Sequence, residues 1–147
     1  MKLHFPISAL AATAVLLAGC GSTPEIVCTA IGADPGIAFS ISQSLAETTE
    51  SAELEVCWGD TCHDTRPEIH KQSDDATELT GFAAIADLPD GDVSVKITLF
   101  DAENAEIFSD ETTVKTAATY PNGPECPAEG VQGSVSVQET KLVTERP

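Results

Sequence analysis

Five cysteines and three histidines are the residues of this chain best suited to chemistry. Cys57 and Cys62 bracket Trp58-Gly59-Asp60-Thr61, His63 follows directly, and His70 stands seven residues further on. Cys57, Cys62, His63 and His70 could be written as a zinc set, since zinc takes thiolates and neutral imidazoles in a tetrahedron. Their spacing is not a Cys-x2-Cys pattern, so a disulfide suits the two cysteines better, and no Cys-x-x-Cys motif marks redox chemistry. Nucleophilic hydrolysis needs a Ser or Cys, a base and an orienting acid. There is no Gly-x-Ser-x-Gly, neither histidine stands in a catalytic motif, and no catalytic residue is assigned. Asp87, Asp90, Asp92, Asp101, Glu103 and Asn104 could offer oxygen ligands to calcium from adjoining loops. They lack EF-hand spacing, and Asp-Gly is ordinary turn chemistry. Calcium binding therefore stays an alternative, and no metal ligand is assigned.

Cys20 belongs to a different chemistry. Met1 and Lys2 open a weakly positive start, and an apolar run from Ile7 to Ala18 follows. About a dozen apolar residues are too few to span a bilayer, which takes roughly 20. The run ends Leu17-Ala18-Gly19-Cys20, which matches the bacterial lipobox: an aliphatic residue, two small ones, and the cysteine whose thiol receives diacylglycerol. The expectation is that residues 1–19 are a signal peptide that is removed. Residues 20–25 would then be a lipidated cysteine with a short polar tether, and residues 26–147 the folded domain. Two acyl chains on one cysteine suffice for stable anchoring. The expected location is the extracytoplasmic face of the cell membrane, with the covalent lipid on Cys20 and no cofactor.

Charge narrows the partners. The chain holds 24 acidic and 7 basic residues; losing Lys2 takes the basic count from 7 to 6 and the net charge from −17 to −18. Phosphate recognition needs a basic face, so nucleic acid is excluded as a partner. Electrostatic adhesion to anionic lipid is disfavoured for the same reason. A solvated surface kept soluble by repulsion accounts for the charge, and a cationic or envelope protein partner is compatible with it.

The elements that must carry these residues read as strands. Ile37, Phe39 and Ile41 alternate with Ala38 and Ser40; Leu54, Val56 and Trp58 with Glu53, Glu55 and Cys57; Val93, Val95, Ile97 and Leu99 with Ser94, Lys96 and Thr98; and Val131, Val135 and Val137 repeat the pattern. A period of two puts one face in a core. Weaker strands are expected at 26–32, 61–66, 78–86 and 106–115, a helical turn within 43–52, and a polar loop at 67–76. Turns fall at Asp34-Pro35-Gly36, Gly59-Asp60, Pro89-Asp90-Gly91 and Asn122-Gly123-Pro124. Gly59-Asp60 suits a type II′ hairpin, with glycine at the position of positive φ. Cys57 then faces Cys62 across a non-hydrogen-bonded pair, about 4.5 Å apart at Cα, within reach of a disulfide. With Cys20 lipidated, Cys28 and Cys126 remain for the second bridge, as expected of an even count outside the cell. Seven or eight short strands with frequent turns predict an all-β, immunoglobulin-like antiparallel sandwich with two disulfides.

Two resemblances add to this. Leu88-Pro89-Asp90-Gly91-Asp92-Val93-Ser94-Val95, with Phe100-Asp101-Ala102-Glu103-Asn104, resembles the E–F corner, F strand and F–G turn of fibronectin type III and related immunoglobulin-like domains. Val93 stands where many of them carry the tyrosine of the tyrosine corner. Ile31-Gly32-Ala33-Asp34-Pro35-Gly36-Ile37, Val56-Cys57-Trp58-Gly59-Asp60-Thr61-Cys62 and Tyr120-Pro121-Asn122-Gly123-Pro124-Glu125-Cys126 resemble small secreted or lipid-anchored actinobacterial proteins of uncharacterised function. That likeness implies a shared sandwich and disulfides and brings no catalytic residues. The expected function is a non-enzymatic structural or protein-interaction module on a lipid anchor. The alternatives are a calcium-binding accessory protein and an envelope enzyme.

Overall fold

Alternation of branched apolar residues with small or polar ones dictates most of the architecture. The computed structural model describes residues 26–144, so Leu17, Ala18, Gly19 and Cys20 lie outside the described residues. In chain order the elements are β1 (Gly36–Ile41), α1 (Gln43–Ala46), β2 (Ser51–Trp58), β3 (Thr61–Thr65), β4 (Ile69–His70), β5 (Leu79–Ala84), β6 (Gly91–Phe100), β7 (Glu106–Ala118), β8 (Val131–Val137) and β9 (Leu142–Thr144). Ile37 and Ile41 of β1, Leu54 and Val56 of β2, Val93, Val95, Ile97 and Leu99 of β6, and Val135 and Val137 of β8 are all fully buried. They join one hydrophobic cluster. Each strand thus turns the face that its apolar period marks toward a common core.

Strands β3-β2-β6-β7 pair antiparallel in that order. The last residues of the long strand β7, Ala117 and Ala118, then leave β6 and pair with Gln132 and Val131 of β8. Through this handover the path continues as β8-β1-β5-β4. The result is one mixed all-β sheet curled into a half-barrel around the core. Strand β9 pairs with β8 from Val135 to Val137. The backbone amide of its first residue, Leu142, also donates to the Asp110 carboxylate of β7 at 2.8 Å.

The expected all-β class holds, but the expected antiparallel sandwich is corrected to this single mixed sheet curled into a half-barrel. Strands β1 and β8 run parallel, from Gly36 opposite Gln132 to Ile41 opposite Val137. Nearly the whole domain lies between them in sequence, and a parallel pair needs such a long connection. The segment 26–32, expected to be a strand, is irregular. It joins no ladder, and Ile26, Val27 and Ile31 face solvent. The expected loop at 67–76 contains the short edge strand β4, and β9 had no forecast at all.

Turn chemistry follows the sequence closely. Gly59 between β2 and β3 has φ +55°, as a II′ turn requires. Before β6, the buried Thr116 of β7 reaches back with its hydroxyl to the carbonyls of Pro89 at 2.6 Å and Gly91 at 2.9 Å. This threonine ties down the Pro89-Asp90-Gly91 turn, while Val93 is given wholly to the core.

Candidate functional site

The main grooves among the described residues are open, so the candidate regions are built around the two disulfides. The first is a clamp on the N-terminal segment. Cys28, exposed, bonds to Cys126, which is 5% exposed, with Cα atoms 5.8 Å apart. Side chains extend the clamp along the segment. The Asn122 amide donates to the Ile31 carbonyl at 2.9 Å, and its oxygen accepts from the Thr29 hydroxyl. Gln132 donates to the Asp34 carbonyl at 2.7 Å. At Gly130, with φ +79°, a Cβ would lie 2.2 Å from the Ala33 carbonyl oxygen, so only glycine allows the two backbones to approach so closely. These bonds substitute for a ladder: residues 26–35 are held without being a strand.

The receiving loop is itself ordered. Thr119 and Glu129–Gly130 exchange backbone hydrogen bonds at 2.9 and 3.1 Å, and Tyr120 to Gly123 form a turn closed at 3.0 Å. The clamp lies at the end of the half-barrel where β1 and β8 begin and β7 finishes. The Pro35 carbonyl accepts from Ile85 there. Helix α1 and the Asp101–Ala105 turn occupy the opposite end, since Phe100 pairs with Ser51 and Ser94 with Cys57.

The second region is the β2–β3 hairpin. Cys57 faces Cys62 in register and is bonded to it, with Cα atoms 4.1 Å apart. One step further from the turn, Val56 faces His63. The His63 ring stacks on Trp58, with centroids 4.8 Å apart and planes 10° from parallel. His63 is therefore part of the hairpin's aromatic cover. His70 stands on β4, a different edge strand. Among the described residues neither imidazole is hydrogen-bonded to a hydroxyl or a carboxylate, and no group of three or more His, Cys, Asp and Glu is arranged to hold a metal. The zinc set is not assembled, because its two thiols are spent on the bridge.

The six residues considered for calcium are divided. Asp87, Asp90 and Asp92 flank the start of β6, while Asp101, Glu103 and Asn104 follow its end. Residues 93–100 of β6 separate Asp92 from Asp101, about 30 Å of strand at 3.3 Å per residue. The Asp101 carboxylate accepts from the backbone amides of Glu103 at 3.0 Å and Ala105 at 2.8 Å, which fixes its turn, and Asn104 takes φ +61° there. At the other end the Asp90 carboxylate accepts from the backbone amide of Ala118 at 3.4 Å.

The two outer sheet faces differ in charge. A shallow groove of about 380 Å³ crosses β3, β2 and β6, lined by Glu53, Glu55, Asp64, Arg66, Lys96 and Thr98. Arg66 pairs with Glu53. A second groove of about 380 Å³ lies over β4, β5, β1 and β8, where Ala38, Ser40, Thr80, Phe82 and Ser134 bring no formal charge. Both are open surface features with no catalytic pair. No family model matches this chain, and no curated protein or solved structure matches it at a significant level.

Proposed function

We propose that this chain is a lipid-anchored extracytoplasmic protein. Its disulfide-stapled β domain would serve as a structural or protein-interaction module, without catalysis. The observation that carries the reading is the sequence Leu17-Ala18-Gly19-Cys20 placed eight residues before Cys28, where a disulfide grips the domain. Two bridges fit an oxidising compartment. The split carboxylates and unassembled histidines give the calcium and enzyme alternatives nothing specific to stand on.

The strand order also supports a distant immunoglobulin-like reading. The group β3-β2-β6-β7 has the order C′-C-F-G, and β1 beside β5 has the order B-E. The departure is the place of strand A, which the C-terminal strand β8 fills in parallel with β1. Likeness to the small actinobacterial lipoproteins is part of the proposal.

The anchor is tested by mass spectrometry of the N-terminal peptide from membranes. A diacylated Cys20 is expected, with Cys20→Ser losing both the lipid and membrane retention. An unmodified Cys20, or a mature chain that retains residues 1–19, would overturn it. The interaction role is tested by crosslinking in intact cells. Capture of a specific envelope protein is expected, and its absence under conditions that capture other lipoproteins counts against the role.

A further inference from the structure

We infer that the clamped end of the domain is a bilayer-docking surface, in which Ile26, Val27, Ile31 and Tyr120 enter the boundary between headgroups and acyl chains beside the anchor. The inference rests on the anchored reading above and deepens it.

Four of the large apolar side chains that the described residues leave in solvent lie on the two segments joined by the clamp. Val27 is 83% exposed, Ile31 57%, Ile26 53% and Tyr120 49%. The clamp is what gathers them. Asn122 stands in the turn opened by Tyr120 and bonds Thr29 and Ile31, while Cys28 is tied to Cys126. An irregular segment could have turned these side chains inward; instead it spends its backbone on the clamp and leaves them outside.

The occupant follows from the length of chain. Cys20 stands six residues before Ile26 and eight before Cys28, at most about 21 and 28 Å of extended chain. A diacylated Cys20 lies at the interface, so the patch is never further from the bilayer than this leash allows. Tethering at such a length converts docking into an intramolecular event at millimolar effective concentration, where weak apolar contact suffices. Tyrosine, with an apolar ring and a polar tip, is suited to headgroup level. A protein partner would have to fit between the membrane and the root of the leash. Asp34, Glu125 and Glu129 lie on the same segments, so the contact is apolar insertion and is opposed by anionic lipid.

The test uses the full lipidated chain in phosphatidylcholine vesicles whose acyl chains carry bromine at a shallow position. Trp58→Phe with Tyr120→Trp leaves a single tryptophan in the patch. Its emission is expected to fall at least twofold against unbrominated vesicles. The fall should shrink when phosphatidylglycerol replaces part of the phosphatidylcholine. It should vanish in Val27→Asp/Ile31→Asp, two exposed positions, with the lipid on Cys20 and vesicle sedimentation unchanged. Equal emission in the two kinds of vesicle, with Cys20 acylated, would overturn the docking surface and leave the anchor standing. A Cys20 without acyl mass would overturn both. Amide exchange removes dependence on the tryptophan pair. In the chain with Trp58 and Tyr120 intact, amides from Tyr120 to Glu125 should exchange several-fold more slowly on vesicles than in Val27→Asp/Ile31→Asp. Equal rates would contradict the proposal.

Discussion

The two disulfides hold their surroundings in opposite ways. Cys57–Cys62 joins residues that β2 and β3 already place opposite each other, in a hairpin with five registered pairs and a second neighbour, β6, behind β2. Cys28–Cys126 joins an irregular segment to a loop, 98 residues apart, where no ladder exists. Where backbone pairing is present, a cross-link adds little geometry. Where it is absent, the cross-link and a few side chains must do the positioning. The N-terminal clamp thus depends on single side chains and one glycine where the hairpin depends on a ladder.

Removing each bridge tests that contrast most directly. Cys28→Ser/Cys126→Ser should cost up to about 4.7 kcal/mol in the chain-entropy account of a loop near 100 residues, read as a lower urea midpoint. A loss no greater than that of the hairpin bridge would break the comparison. Gly130→Ala attacks the same clamp without touching sulfur. Its Cβ would meet the Ala33 carbonyl at a positive φ, and strain of this kind costs about 1–3 kcal/mol, seen as a lower Tm.

Cys57→Ser/Cys62→Ser should cost about 2 kcal/mol at most for so short a loop, with the β-sheet circular dichroism retained. Graded reduction offers a companion measurement. Each bridge has one exposed cysteine, Cys62 or Cys28, but the second cysteine is half-buried in Cys57 and buried in Cys126. The hairpin bridge, accessible from both sides, should therefore open first, since exchange requires access to sulfur. Peptide mapping would show the order, and the reverse order would contradict the structural distinction. Asn122→Ala should have the smallest effect, about 1 kcal/mol for lost hydrogen bonds. It would appear as faster amide exchange confined to residues 29–33, and uniform acceleration across the sheet would mean that the clamp is not a separate unit.

Much of the core was legible because period-two patterns report a face. Ile37 to Ile41, Leu54 to Val56 and Val93 to Leu99 are buried as their alternation indicates. A face is not a neighbour, and this is why the parallel partnership of β1 and β8 could not be read: Val135 and Val137 would show the same pattern beside any strand. Segment 26–32 misled because Ile26, Val27 and Ile31 have strand-forming types, while a strand is made by a partner's free backbone. Strands β4 and β9, of two and three residues, carry too little pattern to be seen. The position of His63 could have been derived. Once Gly59-Asp60 sets Cys57 opposite Cys62, Val56 must face His63 and place its ring beside Trp58, two residues along the same face. The two cysteine pairs were legible from hairpin spacing and parity. The clamp's reliance on Asn122, Gln132 and Gly130 was not, because long-range side-chain bonds leave no local signature.

The parallel pairing of β1 with β8 also sets a schedule. A ribosome releases β1 early and β8 late, and until residues 131–137 exist β1 has only β5 beside it. Cys28 likewise waits for Cys126. Contacts of such long sequence separation form slowly and late. A chain that stops short of Val131 is left with a bare strand edge, which invites aggregation. Closure of the half-barrel therefore waits on residues 131–137: the first strand acquires its second neighbour only when they are in place.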